Sequence, residues 1–304
     1  MYWTAPRRSP SAISFSEKAQ RGTALPRATL AGVVALALWT TLGLLTRLAA
    51  GIPPLQLTAM AFAVAAAGSL ALVAWRGRLK ALRQRPLAWV HGVGGLAGYH
   101  ALYFAALALA PAVEANLINY LWPLFIVLLS APVLGLPLGP RRLGGVLLGV
   151  AGCLVLLAGG AGAEGGALAW LGFLAALGCA IVWAVYSVTA RLLAAVPTEA
   201  VAGFCAGAAL VSAALHLAFE PTVAPGARQA LAALLLGLGP VGAAFFLWDA
   251  GMKRGDPRLL GTLAYAVPVA STLLLAAAGE GALDARVALA AALVAGGGLL
   301  AARA

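Results

Sequence analysis

The feature that most constrains this chain is a succession of apolar runs, each about as long as a helix that crosses a bilayer. Such a helix needs about 20 apolar residues. The runs lie near residues 28–50, 55–75, 87–109, 112–134, 142–160, 167–190, 199–219, 228–250, 256–278 and 283–302. Only 10% of the residues are charged, whereas soluble domains carry about 25%. We therefore predict an all-α polytopic membrane protein with ten transmembrane helices.

The basic residues predict how these helices are oriented. Cytoplasmic loops of membrane proteins are enriched in Lys and Arg. If the N-terminus is cytoplasmic, only Arg47, Arg228 and Arg286 of the 20 basic residues fall on the outer side. Ten spans then also place the C-terminus in the cytoplasm. Because the basic residues lie in short gaps between apolar runs, the net charge of +11 indicates contact with anionic lipid and no nucleic-acid partner.

The N-terminal segment has a different composition. Residues 1–27 are polar and basic and contain no apolar stretch. A cleavable signal peptide requires an apolar region. We therefore expect a disordered cytoplasmic tail at residues 1–27.

The chain resembles itself at a shift of about half its length. Trp39 and Pro53 recur 144 positions later as Trp183 and Pro197, and Tyr120 and Pro123 recur 145 positions later as Tyr265 and Pro268. Two halves are predicted, at residues 28–160 and 161–304. Each half holds about five spans, and an odd number inverts the second half. Inverted repeats are typical of transporters, with the substrate site near the midplane at the repeat interface.

Aromatic and hydrogen-bonding residues in the middle of the spans are the candidate substrate-binding residues. Polar groups inside a membrane usually mark a functional pathway, and an aromatic-lined cavity suits a flat, amphipathic solute. The candidates are Trp39, Tyr99, His100, Tyr103, Asn119, Tyr120, Trp122, Pro123, Trp183, Tyr186, Tyr265 and Pro268. The two prolines interrupt corresponding helices and expose a backbone carbonyl, or they are plain structural kinks. The asparagines of the fourth span also fit a role as interhelical hydrogen-bonding partners.

Three charged residues within the spans have competing interpretations. Glu114 fits a favourable interaction with a helix N-terminus, or a gating or proton role. Asp249 forms an ion pair with Lys253, or it is a proton or substrate-amine site. Arg47 is expected to extend to the outer interface.

The spacing of small residues and cysteines indicates packing. Gly145, Gly149 and Gly152 are spaced for close packing of helices within the monomer, and so is the run at residues 296–298. The three cysteines lie in apolar runs without metal-ligand spacing and are expected to be small buried side chains.

Residues 28–302 resemble the drug/metabolite transporter superfamily in its two-domain EamA form. The most specific segment is residues 114–123, EANLINYLWP, preceded by Tyr99, His100 and Tyr103. These residues are similar to those of the aromatic amino acid exporters of the YddG type. The resemblance implies efflux of phenylalanine, tyrosine, tryptophan and toxic cations such as paraquat through a central cavity. It places Tyr99, His100, Tyr103, Tyr120, Trp122 and Pro123 in the lining, with Trp183 added by its position.

The function expected from the sequence is facilitative export of aromatic and other neutral amino acids across a bacterial inner membrane by alternating access. An exporter of drugs, toxic cations or other metabolites is the alternative within transport. A membrane-embedded enzyme is the alternative of another class, but the spans show no paired acids, HExxH motif or Ser/His constellation. We therefore expect a monomeric non-enzyme with a small-molecule substrate and membrane lipid as partners, and neither metal nor cofactor.

Overall fold

A computed structural model describes residues 27–135, 138–158, 166–193, 195–255, 260 and 263–302. Apart from Arg27, the expected N-terminal tail lies outside this range. The described part is helical throughout, with α1 Arg27–Thr40, α2 Leu42–Leu48, α3 Pro54–Trp75, α4 Pro86–Leu109, α5 Ala112–Asn119, α6 Trp122–Leu134 and α7 Pro140–Ala158. The remaining α-helices are α8 Gly166–Thr189, α9 Ala200–Phe219, α10 Ala227–Leu238, α11 Ala244–Arg254, α12 Val267–Ala277 and α13 Ala285–Ala302.

Prolines and glycines set many of the helix ends. Pro54 and Pro86 occupy the first turn of α3 and α4, where the missing N–H would have no intrahelical partner anyway. Gly135 ends α6 with φ +67°, a left-handed conformation that costs glycine little. The helix ends at Pro54, Pro86 and Leu134 lie within one residue of the predicted limits of the apolar runs.

Within the described residues, seven helices, some of them joined across a break, are long and apolar enough to cross a membrane. They span Arg27–Leu48, Pro54–Trp75, Pro86–Leu109, Ala112–Leu134, Leu168–Thr189, Ala200–Phe219 and Ala227–Gly251. Val267–Ala277 and Ala285–Ala301 are apolar but shorter. The polytopic helical membrane fold is therefore confirmed.

The helices pair across the two halves in a symmetric pattern. α3 packs on α9, and α7 packs on α13. In each pair the second helix lies about 144 residues after the first. α4 packs on α8, and the matching pair under the same shift, α11 and α1, is also in contact. A two-fold relation between the halves produces this exchange of partners.

Contacts at the helix ends give the direction of that relation. The backbone N–H of Leu55, at the start of α3, donates to Glu220, which follows α9 (3.0 Å). Gly145, at the start of α7, lies against Gly297 near the end of α13. Helices that correspond under the repeat therefore run antiparallel, as an inverted repeat requires.

Close packing of small residues brings α7 and α13 together. A Cβ on Gly145 or Gly297 would overlap the backbone of the other helix, and a Cβ on Gly152 would come within 2.9 Å of the Ala290 carbonyl. The packing role predicted for the glycines of α7 is confirmed. Cys153, Cys179 and Cys205 are buried free thiols, as expected.

The connections after α3 and α6 and the one between α8 and α9 lie at the same end of the bundle. We call this the basic end, because residues 76–85 and 141–142 hold seven Lys and Arg residues there. At the opposite end lie Arg47, in the last turn of α2, and Glu280, which follows α12.

Candidate functional site

Two helices are interrupted at corresponding positions in the middle of the bundle. α5 ends at Asn119 and α6 resumes at Trp122, with Pro123 in its first turn. α12 begins at Val267 with Pro268 in the same place. The turns share their hydrogen bonding: the N–H of Leu121 donates to the Ile118 carbonyl (3.1 Å), and Ala266, 145 positions later, donates to Leu263 (2.9 Å). The predicted helix interruptions are confirmed.

A small central hollow lies beside the first interruption. Its volume is about 40 Å³, enough for a few water molecules at roughly 10–15 Å³ each by the same measure. Both halves contribute to its lining: Leu36, Trp39, Leu42, Tyr99, His100, Tyr120, Trp122, Trp183, Phe245, Ala264 and Val267. Six of the twelve predicted site residues therefore meet around one hollow.

Aromatic rings pack closely around the central hollow. Trp183 lies 5.0 Å from Tyr99 and 6.4 Å from Trp39, between ring centroids. The His100 Nδ1–H donates to the Leu96 carbonyl (2.9 Å), and the ring packs edge-on against Phe62. The rings are thus held by one another and by the backbone, which presets the shape of the hollow.

Tyr103 and Asn119 lie behind this lining and are almost fully buried. The Tyr103 hydroxyl donates to Asn116 (2.7 Å), and its ring stacks on Tyr99. The Asn119 amide donates to the Tyr99 hydroxyl (3.2 Å) and accepts from the Cys179 thiol (2.9 Å). Both residues position Tyr99, and neither lines the central hollow.

Tyr186 lines a second and larger cavity at the basic end, which we call the inner cavity. Its volume is about 460 Å³, within the roughly 300–1,000 Å³ typical of small-molecule sites. Trp183 and Phe245 line both cavities and separate them. The inner cavity therefore approaches the central hollow from the basic end.

The remaining predicted residues lie outside the linings of these two cavities. The Tyr265 ring packs on Gly298, where a Cβ would overlap it. Pro123 and Pro268 are buried at the helix interruptions. Among the described residues, the second half therefore contributes to the central hollow mainly through Trp183 and Phe245.

Phe245 was not among the sequence candidates. It precedes Trp248 by three positions and Asp249 by four, a spacing that places these three residues on one face of α11. Trp39 is also held in an unexpected way: its indole N–H donates to the Pro240 carbonyl (3.1 Å) in a π-helical turn at Gly239–Ala243. The Gly-Pro pair was the available signal for this interruption.

The structure gives hydrogen-bonding partners for two of the charged residues discussed from the sequence, Arg47 and Asp249. The Arg47 side chain does not extend alone to the interface, because its Nε donates to Glu280 (2.6 Å) and its Nη1 to the Leu107 carbonyl (2.9 Å). Arg47 therefore joins three helix ends opposite the basic end. Asp249 lines the inner cavity and accepts a hydrogen bond from the Thr198 hydroxyl, while the Lys253 side chain lies outside the described part.

The fold defines a polytopic membrane protein with two adjacent cavities, each lined by residues of both halves. The chain belongs to the EamA-like transporter family, which matches residues 26–158 and again 170–303. Together with the seven apolar helices, this places it in a bacterial inner membrane as a multi-pass protein.

Known relatives cover most of the chain. A protein of Ancylobacter novellus named aromatic amino acid exporter YddG is 52% identical over 276 residues, which are 90% of this chain and 96% of the relative. A protein of Salmonella typhimurium with the same name is 26% identical over 265 residues, covering 82% and 88%. A crystal structure of a protein 50% identical to this chain covers 91% of it and 98% of that protein, with a TM-score of 0.72.

Proposed function

We propose that this chain exports aromatic and other neutral amino acids across the cytoplasmic membrane. The observation that carries the proposal is the central hollow, where rings from both halves face one another. Stacking and edge-on contacts there favour a flat apolar side chain. The name of the 52% identical relative supports the same substrate class.

The proposed topology has ten spans, arranged as two inverted halves at residues 28–160 and 161–304, with both termini in the cytoplasm. The Lys and Arg residues at the basic end support this orientation. We expect a reporter enzyme that works only outside the cytoplasm to be inactive when fused after Ala304. An active fusion would contradict the orientation.

The proposed mechanism is alternating access without chemical change of the substrate, by a monomer, down the substrate gradient. With the basic end in the cytoplasm, the inner cavity lies on the side from which an exporter loads. The Arg47–Glu280 ion pair lies at the other end. The central hollow, at about 40 Å³, is too small for an amino acid, so the rings around it must move for the substrate to pass.

Substrate transport is tested with the purified protein in proteoliposomes loaded with labelled phenylalanine. We expect the wild-type protein to release phenylalanine. Trp183→Ala is expected to release it at about one tenth of the wild-type rate or below, because truncating a central aromatic contact residue typically costs that much. Trp75→Ala is the matched control, since Trp75 is 83% exposed and distant from both cavities. Absence of aromatic amino acid efflux from folded wild-type protein would refute the proposed function.

A further inference from the structure

The inner cavity has the size and lining of a ligand site in its own right. It extends from Ala88 and His91 on α4 to residues 196–198, between α8 and α9. Its 460 Å³ exceeds the central hollow more than tenfold. In the conformation described here, a molecule the size of phenylalanine fits the inner cavity and not the central hollow.

One carboxylate contributes negative charge to the lining of this cavity. Asp249 belongs to the lining, whereas none of the described lining residues is Lys or Arg. The Thr198 hydroxyl donates to the Asp249 carboxylate and thereby orients it. The nearby acid Glu199 pairs with Arg78 (3.1 Å) and does not line the cavity.

Aromatic faces surround the same space. Trp183 and Tyr186 stack on each other with centroids 5.2 Å apart, and Trp248 is the neighbour of Asp249 in sequence. All three line the cavity. A carboxylate beside aromatic faces recognises an ammonium group attached to an apolar or aromatic body, by charge and by cation–π attraction.

We propose that the inner cavity is a loading site and that Asp249 binds the ammonium group of the substrate there, before the substrate passes Trp183 and Phe245. The inference rests on the proposed function and deepens it. If Asp249 binds the substrate in this way, the ammonium group is the substrate feature required for binding in the inner cavity. We expect the substrate carboxylate to contribute less than the ammonium group to binding at this site.

Three related probes separate these features: phenylalanine, phenethylamine, which lacks the carboxylate, and 3-phenylpropanoate, which lacks the ammonium. Binding of each is measured on the full chain in detergent, by quenching of tryptophan fluorescence and by competition with labelled phenylalanine. We expect Asp249→Asn to weaken phenylalanine and phenethylamine binding by about 10- to 100-fold, as for loss of one partner of a desolvated charge pair. Binding of 3-phenylpropanoate is expected to be unchanged or tighter.

Glu199→Gln is the matched control, because it removes one negative charge near the cavity without changing its lining. Asp249→Glu keeps the charge and is expected to retain part of the affinity. The thermal unfolding of each variant in detergent verifies that it is folded. Trp248→Leu removes a ring that lines the inner cavity and also contacts Trp39, and it is expected to weaken phenethylamine binding.

Three results would overturn the inference while leaving the proposed function intact. In the first, folded Asp249→Asn binds phenethylamine as the wild type does. In the second, Asp249→Asn weakens all three probes equally. In the third, it leaves every affinity unchanged and removes only a dependence of transport on the proton gradient, which would make Asp249 a proton site. Failure of wild-type proteoliposomes to move any aromatic amino acid would instead refute the proposed function.

Discussion

Asn116 joins the two halves through a buried hydrogen bond. It is fully buried, accepts a hydrogen bond from Tyr103 (2.7 Å) and donates one to Ser271 on α12 (2.7 Å). Because lipid offers no alternative hydrogen-bonding partner, the buried polar groups of Tyr103, Asn116 and Ser271 depend on one another. Asn116 therefore links the helix that carries Tyr99 to the interrupted helix of the second half.

At this scale we predict that Asn116→Ala destabilises the protein by about 0.5–2 kcal/mol, the range for a buried interhelical hydrogen bond and an unpaired hydroxyl. The measurement is SDS-induced unfolding of the purified protein in mixed micelles. Tyr103→Phe and the double variant complete a mutant cycle. If the two effects are additive, the hydrogen bond is not energetically significant and the prediction is wrong.

At the scale of elements, contact between α7 and α13 depends on single glycines. Gly297 lies against the backbone of α7. A Cβ atom built on Gly297 would overlap the Gly145 carbonyl and lie 3.0 Å from the Gly149 nitrogen. Gly296, one position earlier, has no neighbour within 4 Å of such a Cβ. The two glycines share a helix and differ only in the face on which they lie.

This difference provides a matched pair of substitutions. We predict that Gly297→Ala costs about 1–3 kcal/mol, because the new methyl group must separate two backbones. Gly296→Ala is expected to be neutral or stabilising by up to about 1 kcal/mol, since alanine favours the helix. Melting temperatures in detergent report both. Equal effects would mean that α7 and α13 do not pack as described.

At the scale of the whole molecule, the two ends of the bundle differ. The inner cavity reaches the basic end, whereas at the opposite end Arg47 binds Glu280 and the Leu107 carbonyl. Gly279, with φ +79°, ends α12 and lets the N–H of Glu280 return to the Leu275 carbonyl (3.0 Å). This turn fixes Glu280 in front of Arg47.

We predict that Glu280→Gln increases access from the end opposite the basic end. A cysteine introduced by Ala49→Cys, which lies in the wall of a pocket beside Arg47, is expected to react several-fold faster with a membrane-impermeant maleimide when Glu280 is replaced. The three native cysteines are replaced by alanine in this background.

Asp284→Asn is the control for this labelling experiment. The Asp284 carboxylate accepts the N–H of Val287 and pairs with Arg286, and both interactions hold its pKa below its ordinary value. The substitution thus removes a charge at the same end without breaking a contact between the halves. Equal labelling rates for Glu280→Gln and the parent protein would show that the Arg47–Glu280 pair does not hold this end closed.

Local chemistry, and therefore the sequence by itself, determined the helices and their interruptions. Runs of about 20 apolar residues must be helical in lipid, because every backbone polar group needs an internal partner. Pro123 and Pro268 predicted the interruptions, since a proline in the middle of an apolar run removes one backbone donor. The segment at residues 114–123 carried the resemblance to the transporter family, and the aromatic residues around Tyr99 and Trp183 were predictable as candidates from their mid-span positions.

Only the tertiary structure decided which face of each helix points inward. These helices are apolar on all sides, and lipid is as apolar as the protein interior, so hydrophobicity does not fix their rotation. Packing turned Tyr265 onto Gly298 and brought Phe245 to the central hollow. Contacts between residues far apart in sequence also paired Arg47 with Glu280 and placed Asp249 in the inner cavity, because such partners are chosen by the fold and not by local spacing.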